Sequence, residues 1–208
     1  MSGCAKVLRI SIVGLTVAMI GATARAAEQG AQDEDAPTQK KPQQDIIQTE
    51  AGDLTITFIG HGTLMFGYRD KIVHVDPMSR EADYARLPKG DLVLITHEHG
   101  DHLDPKAIDM IHKDQTKILL TKACVEKVPD GAVMKNGDTV TACGFKIEAV
   151  PAYNLIHKRP DGQPFHPKGV GNGYILTFGD TRVYVAGDTE ATPEMKALGI
   201  RADRIDIA

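Results

Sequence analysis

The chain has 208 residues, of which 42% are hydrophobic and 25% are charged, and its formal net charge is −4. This length fits one domain, and this composition is that of an ordinary globular protein. The sequence contains no basic block and no basic stripe interleaved with aromatic residues. The lack of such basic segments argues against nucleic acid as a partner.

Residues 1–26 have the composition of a secretory signal peptide. Lys6 and Arg9 form a basic start, residues 10–20 are an apolar run, and small residues up to Ala26 form a cleavage pattern. The run is shorter than the ~20 residues that a stable membrane-spanning helix needs. We therefore expect a periplasmic or secreted protein with no stable membrane anchor after cleavage. A retained anchor is the alternative interpretation.

Residues 27–44 are mostly polar or charged, and such a segment cannot bury enough apolar surface to fold. They predict a disordered spacer, which is followed by one domain over residues 45–208. Apolar runs within that domain, alternating or continuous, indicate strands. In chain order, strands are predicted over residues 54–59, 63–68, 71–75, 91–96, 117–120, 145–150, 173–178 and 182–186.

Three further segments carry helix signals. The clearest begins at Pro105, because proline suits the first helical position and Asp104 before it can cap the helix. The predicted elements are helices over residues 105–113, 121–127 and 192–198, and a strand that begins at Ile205. Strands that alternate with helices, some of them almost continuously apolar, predict a layered α/β fold.

The most informative segment is His97-Glu98-His99-Gly100-Asp101-His102, which follows an apolar strand. Imidazole nitrogen and carboxylate oxygen are ligands that suit zinc and related divalent ions. A strand that ends here can direct His97 and His99 to one point. The glycine turn can then bring Asp101 and His102 to a second point nearby. The segment predicts much of a two-metal centre, and a solvated loop that happens to be rich in histidine is the alternative.

Residues 96–104 resemble the signature of the metallo-β-lactamase superfamily. Flanking segments resemble its branch of ascorbate-phosphate lactonases and uncharacterised metal-dependent hydrolases. Those segments are Gly60-His61-Gly62-Thr63-Leu64, His74-Val75-Asp76-Pro77, Pro151-Ala152-Tyr153-Asn154, Phe165-His166-Pro167-Lys168-Gly169 and Ala186-Gly187-Asp188-Thr189. The resemblance covers about residues 45–208 in the right order. It implies an α/β fold of the αββα sandwich type, with the metals at one edge of the two sheets.

The resemblance also implies a set of metal ligands. Asp188 has support from the residues alone, since it follows an apolar strand and Gly187 allows the backbone to turn there; a turn aspartate is the alternative. The implied cofactors are two divalent ions, with zinc as the default and Mn²⁺ or Fe²⁺ as alternatives, because N and O ligands do not identify the metal. The assignments are His97, His99 and His166 to one ion, Asp101 and His102 to the other, and Asp188 to both.

Three residues near these ligands have open assignments. His157 lies in the same loop as His166 and is the alternative ligand, although His166 matches the family pattern. His61 follows a strand break and is interpreted as orienting a ligand or contacting substrate, with a structural histidine as the alternative. Asp76 follows an apolar strand and is interpreted as a hydrogen-bond partner of a metal-bound histidine, with a turn residue as the alternative.

The expected function follows from the two ions. They would lower the pKa of a shared water, so that a metal-bound hydroxide attacks an ester, lactone or phosphodiester near neutral pH. Asp101 is the candidate proton acceptor and thus the candidate catalytic residue. We expect a metal-dependent hydrolase of a small-molecule substrate. β-Lactam hydrolysis is less favoured, because the flanking segments resemble the lactonase-like branch. An iron-dependent redox member of the fold is a further alternative, against which His99 argues, since those members carry an acidic residue there.

The family pattern continues beyond Ala208 and supplies a further histidine to the second ion. We therefore expect a chain that is truncated at its C-terminus, with the second half of the sandwich and the second metal site incomplete. On that interpretation the alternative function is a non-catalytic metal-binding protein or an inactive fragment.

Overall fold

The computed structural model of the chain describes residues 42–198 and 204–208. The predicted signal peptide over residues 1–26, and all but the last residues of the predicted spacer, lie outside the described residues. The first strand begins at Gln43, slightly before the predicted start of the domain at residue 45. No helix within the described ranges is long and apolar enough to cross a membrane.

The strands of the described ranges form two sheets. The larger sheet has the order β1 (Gln43–Thr49), β2 (Gly52–Gly60), β3 (Thr63–Tyr68), β4 (Lys71–Val75), β5 (Leu92–Leu94), β6 (Lys117–Leu120) and β7 (Ala132–Val133). The smaller sheet has the order β11 (Thr181–Val185), β10 (Gly171–Phe178), β9 (Phe145–Ala152) and β8 (Thr139–Ala142). Pairs from β4 to β7 are parallel, and the other pairs are antiparallel.

The two sheets face each other across one hydrophobic core. Because successive side chains of a strand point to opposite faces, alternate residues of the central strands enter the core. Phe66 from the larger sheet and Phe178 from the smaller one are fully buried there, with ring centroids 5.5 Å apart. The sheets are therefore held together mainly by apolar contact between their inner faces.

One helix packs against each outer face. Helix α1 (Pro105–Ile111) packs Ile108 and Ile111 into a cluster with apolar residues of the larger sheet. Helix α2 (Pro193–Leu198) packs Leu198 in the same way against the smaller sheet. The resulting layers of helix, sheet, sheet and helix confirm the predicted α/β sandwich.

Strands β1, β7 and β8 are absent from the sequence prediction. Strand β1 is largely exposed and therefore shows no apolar alternation, and β7 is only two residues long. Strand β8 joins β9 through Cys143 and Gly144, whose φ angles are 52° and 88°. Two left-handed residues are typical of a tight hairpin turn, but cysteine in the first position gave no turn signal.

Two predicted elements differ in the structure. The helix predicted over residues 121–127 is wrong, because only a 3₁₀ turn forms at Lys122–Cys124 and the side chain of Thr121 makes no capping hydrogen bond. The strand predicted from Ile205 is reduced, among the described residues, to a bridge between Ile207 and Val183. Neither difference alters the sandwich.

Four loops meet at one edge of the sandwich, where they follow strands β4, β5, β9 and β11. Hydrogen bonds between the sheets form at this edge. The Tyr174 hydroxyl donates to the Ile95 carbonyl at 2.8 Å, and the Asn172 backbone N–H donates to the Thr96 carbonyl at 2.9 Å. This junction positions the loops that carry Asp76, His97, His166 and Asp188.

Candidate metal centre

A first group of three histidines lies at this edge. His97 and His99 come from the loop after β5, and His166 comes from the loop after β9. Their ligand nitrogens lie within 4.8 Å of one another, and His166 Nε2 is 3.1 Å from His99 Nδ1. The structure thus brings together the three residues that the resemblance assigns to one ion. Their role as ligands stays a prediction.

His157, the alternative to His166, lies elsewhere in the same loop. Its Nδ1 is 2.6 Å from Glu190 Oε1, and its side chain is 77% exposed. Among the described residues it belongs to none of the clusters that could hold an ion. The geometry therefore favours His166 and gives His157 a role in fastening the loop.

A second group lies beside the first and consists of His61, Asp101 and His102, whose ligand atoms are also within 4.8 Å of one another. Asp188 lies between the two groups. Its Oδ1 is 3.3 Å from His102 Nε2, and its Oδ2 is 3.3 Å from His166 Nε2. One carboxylate thus faces both groups with a different oxygen, which is the arrangement expected of a bridging ligand.

Asp76 orients histidines of both groups. Its Oδ2 accepts hydrogen bonds from His102 Nδ1 at 2.8 Å and from the Thr96 hydroxyl at 2.6 Å. Since the Thr96 hydroxyl donates to Asp76, it accepts from His97 Nδ1 at 3.0 Å. Asp76 itself has a φ of 45°, a left-handed conformation that tends to occur at functional sites. Because both imidazoles make these contacts through Nδ1, Nε2 of each is the nitrogen left to bind a metal.

The buried nitrogens provide a test of whether an ion fits. Nε2 of His97 and Nε2 of His102 are buried and have no hydrogen-bond partner in the described part of the chain, although Asp188 approaches His102. Buried polar atoms without a partner are costly, and two of them beside carboxylates suit a cation. The donor set of imidazoles and carboxylates fits a divalent metal.

The family follows from comparison with known proteins. A family model described as the β-lactamase superfamily domain matches residues 55–208. The chain belongs to this superfamily. One relative, a UPF0173 metal-dependent hydrolase of Methanopyrus kandleri, is 30% identical over 154 residues, which are 70% of this chain and 66% of the relative.

Two solved structures are also similar to this chain. A protein from Parabacteroides distasonis, assigned as a metal-dependent hydrolase, is 53% identical with a TM-score of 0.71, and the match covers 76% of this chain and 71% of that one. Igni18, a metallo hydrolase from Ignicoccus hospitalis, is 25% identical with a TM-score of 0.53, and the match covers 71% and 66%. The chain spans about two thirds of the length of such relatives. The superfamily indicated by the motifs is confirmed.

The pKa values of the histidines differ between the two groups. Burial and the neighbouring histidines lower the pKa of His97 to about 3, and burial also lowers the pKa of His166. Burial opposes protonation of His102 as well, but the carboxylates of Asp188 and Asp76 outweigh it and raise the pKa of His102 to about 10. The contact with His102 in turn lowers the pKa of Asp188 to about 2. The carboxylates thus favour positive charge between them.

His166 is oriented by residues that sequence analysis left without a role. Asn154 Oδ1 accepts from His166 Nδ1 at 2.7 Å and from its backbone N–H at 3.0 Å. Glu190 then fastens this loop, because its carboxylate accepts from the backbone N–H groups of residues 155–157 and from Asn154 Nδ2. Asn154 lies in a segment that carries the resemblance, but no sequence signal indicated Glu190.

Proposed function

We propose that this chain is a metal-dependent hydrolase that binds two divalent ions, with Zn²⁺ as the default. His97, His99 and His166 would hold the first ion, Asp101 and His102 the second, and Asp188 would contact both. The position of Asp188 carries the proposal, since its two oxygens each lie 3.3 Å from a histidine of a different group.

Two ions bound here would supply Lewis acidity and would lower the pKa of water, so that a nucleophile forms near neutral pH. Burial disfavours the ionised form of Asp101, but its own backbone N–H together with His102 and His61 lowers the pKa of this carboxyl. Asp101 is therefore ionised at neutral pH, and its side chain is 39% exposed. Its Oδ2 contacts His61, and we assign its Oδ1 as the acceptor of the proton that water loses.

The substrate that we propose is a small-molecule ester, lactone or phosphodiester. A cavity of ≈ 380 Å³ opens beside His102 and Asp188, and its walls include Leu64, Tyr184 and Met195. This volume is in the range of small-molecule sites, and the apolar walls would exclude water from one side of the reacting group. The resemblance of the flanking segments to lactonases supports a lactone or other ester.

We also propose a periplasmic or secreted location. The basic start, the apolar run and the small residues before residue 27 support it. The acidic net charge of −4 and the lack of a basic patch in the sequence support a small molecule, and not nucleic acid, as the partner.

The test measures metal content per chain by elemental analysis after gel filtration, for the wild-type protein, His97→Ala and His112→Ala. His112 is exposed and follows helix α1, so its variant is the control. We expect two ions per chain in the wild type and the control, and fewer in His97→Ala. Hydrolysis of lactone, ester and phosphodiester panels should follow the metal content. Two bound ions without hydrolysis of any panel would support a non-catalytic metal-binding protein instead.

A further inference from the structure

His61 lies in the turn between β2 and β3, beside the second ligand group. The pairing of these strands shifts register between Phe58 and Gly60, just before the turn. His61 then adopts a left-handed φ of 48°, which is uncommon for residues other than glycine and concentrates at functional sites. The backbone therefore holds this imidazole in a position that an unstrained turn would not give.

Gly62 allows the turn to close against His102. A Cβ at residue 62 would lie 2.8 Å from Cε1 of His102, which is closer than side chains approach each other. With glycine there, the rings of His61 and His102 meet edge to face, with centroids 5.3 Å apart. The turn thus brings the His61 ring against a predicted ligand of the second ion.

The His61 imidazole directs Nε2 into the group. Its Nε2 lies 3.2 Å from Asp101 Oδ2, which is its one hydrogen bond in the described part of the chain. The side chain is 46% exposed, so core packing does not require an imidazole here. An exposed contact between histidine and aspartate contributes little stability by itself. A structural role therefore accounts poorly for a strained histidine at this point.

We propose that His61 is a further protein ligand of the second ion, beside Asp101, His102 and Asp188. This inference rests on the proposed function, because it requires that the second ion binds. A neutral imidazole adds a donor without adding negative charge to a group that already contains two carboxylates. Two imidazoles and two carboxylates form a donor set that suits zinc.

The test compares metal binding by the wild-type protein, His61→Asn and His112→Asn. Asparagine tolerates left-handed backbone better than most residues, so the turn should persist in the His61 variant. His112→Asn is the matched control, because His112 lies in none of the ligand groups of the described residues. Each protein is stripped with a chelator, checked for folding by circular dichroism, and titrated with Zn²⁺ by calorimetry. Titration with Co²⁺, followed by visible absorption, reports the ligands directly.

We expect the wild type and the control to bind two ions with resolvable affinities. His61→Asn should keep the first affinity and weaken the second by at least about tenfold, and the Co²⁺ spectrum should change only for the second equivalent. His61→Gly, which relieves the left-handed strain as well as removing the ring, should show the same loss if the asparagine variant misfolds.

Unchanged affinities and an unchanged cobalt spectrum in both His61 variants would overturn the inference while leaving the proposed function intact. If the wild type itself binds one ion or none, the two-ion centre fails, and the inference fails with it. The wild-type stoichiometry therefore distinguishes these two failures.

Discussion

The candidate metal centre has a buried side and a loop side, and they orient their histidines by different means. On the buried side, Asp76 is only 1% exposed and acts through short hydrogen bonds inside the sandwich. On the loop side, the amide of Asn154 orients one imidazole, and Glu190 fastens the surrounding backbone. A desolvated carboxylate has no water to replace a lost partner, whereas a loop at the surface can relax. Ligand geometry should therefore depend most strongly on the buried side.

The largest effect is expected from Asp76→Asn, which breaks the buried side. The amide would place a donor where the carboxylate accepts from His102 and Thr96. We expect the free energy of unfolding of the metal-free protein to fall by about 2–4 kcal/mol and metal affinity to fall by about 100-fold. Urea unfolding and Zn²⁺ titration measure the two quantities. Asp109→Asn, at an exposed position of α1, is the control, and equal behaviour of the two variants would contradict the comparison.

His74, two residues before Asp76, should make the stability of the folded protein depend on pH. This residue is fully buried on β4, its Nε2 donates to the Pro88 carbonyl at 3.0 Å, and burial lowers its pKa from 6.5 to about 4. As the pH falls, the unfolded chain binds this proton before the folded chain does. The stability that neutral His74 contributes above pH 6.5 is therefore lost as the pH falls towards its folded pKa. The shift corresponds to about 3 kcal/mol.

Urea unfolding of metal-free protein between about pH 7 and pH 4 isolates this contribution. The free energy of unfolding of the wild type should fall relative to that of His74→Gln as the pH decreases. His112→Gln, which changes an exposed histidine, should run parallel to the wild type. If the free energies of unfolding of His74→Gln and the wild type fell equally with pH, burial of this imidazole would not explain the loss of stability at low pH.

A smaller effect is expected from Asn154→Ala, which acts on the loop side. Loss of the acceptor for His166 Nδ1 should weaken binding of the first ion about tenfold and leave the affinity for the second ion unchanged. The free energy of unfolding should change by no more than about 1 kcal/mol. Asn154→Asp keeps an acceptor oxygen for His166 but sets a carboxylate against Glu190, to which Asn154 Nδ2 donates, so it should retain more of the first affinity than Asn154→Ala but not all of it. Calorimetric titration with Zn²⁺ compares the variants. If Asn154→Ala weakened the binding of both ions equally, the loop side would not act on the first ion alone, and the comparison would be contradicted.

The smallest effect is expected from Glu190→Gln. Backbone N–H donors, first that of His157, lower the pKa of Glu190 to about 2, so this anchor should persist at pH values where the buried side loses stability. We expect faster amide exchange at residues 155–157 and about threefold weaker binding of the first ion, less than for a direct partner of a ligand. Glu126→Gln, at an exposed position, is the control. Unchanged exchange at residues 155–157 would show that Glu190 does not hold the loop.

Local patterns predicted those parts of the centre that are close in sequence. The segment from His97 to His102 contains proposed ligands for both ions, because the end of one strand and one glycine turn can direct these side chains to two different points. Asp76 was predicted to orient a histidine, and the structure shows it bonded to His102 and Thr96. Asp76 also reaches His97 through Thr96, and this contact depends on how β4 and β5 pair. No local sequence pattern gives that pairing.

Residues far apart in sequence were harder to assign. His157 and His166 lie in one loop and have similar local surroundings, so only the family pattern favoured His166. The folded loop separates them, because Glu190 binds His157 and Asn154 binds His166. His61 had no assigned ligand role, since its approach to Asp101 results from a strained turn and a register shift.

The family resemblance implied that the candidate centre lies at one edge of the sheets. The sequence by itself determined the layered α/β fold and the residue types available at the candidate centre. These properties follow from apolar periodicity, turn residues and the spacing of histidines, all of which act over short distances along the chain. The tertiary structure decided which donors converge, since Asp188 meets His102 and His166 only when two sheets pack face to face. The distances between these donor atoms depend on packing and on hydrogen bonds between segments that are far apart in the sequence. A linear sequence pattern does not contain those distances.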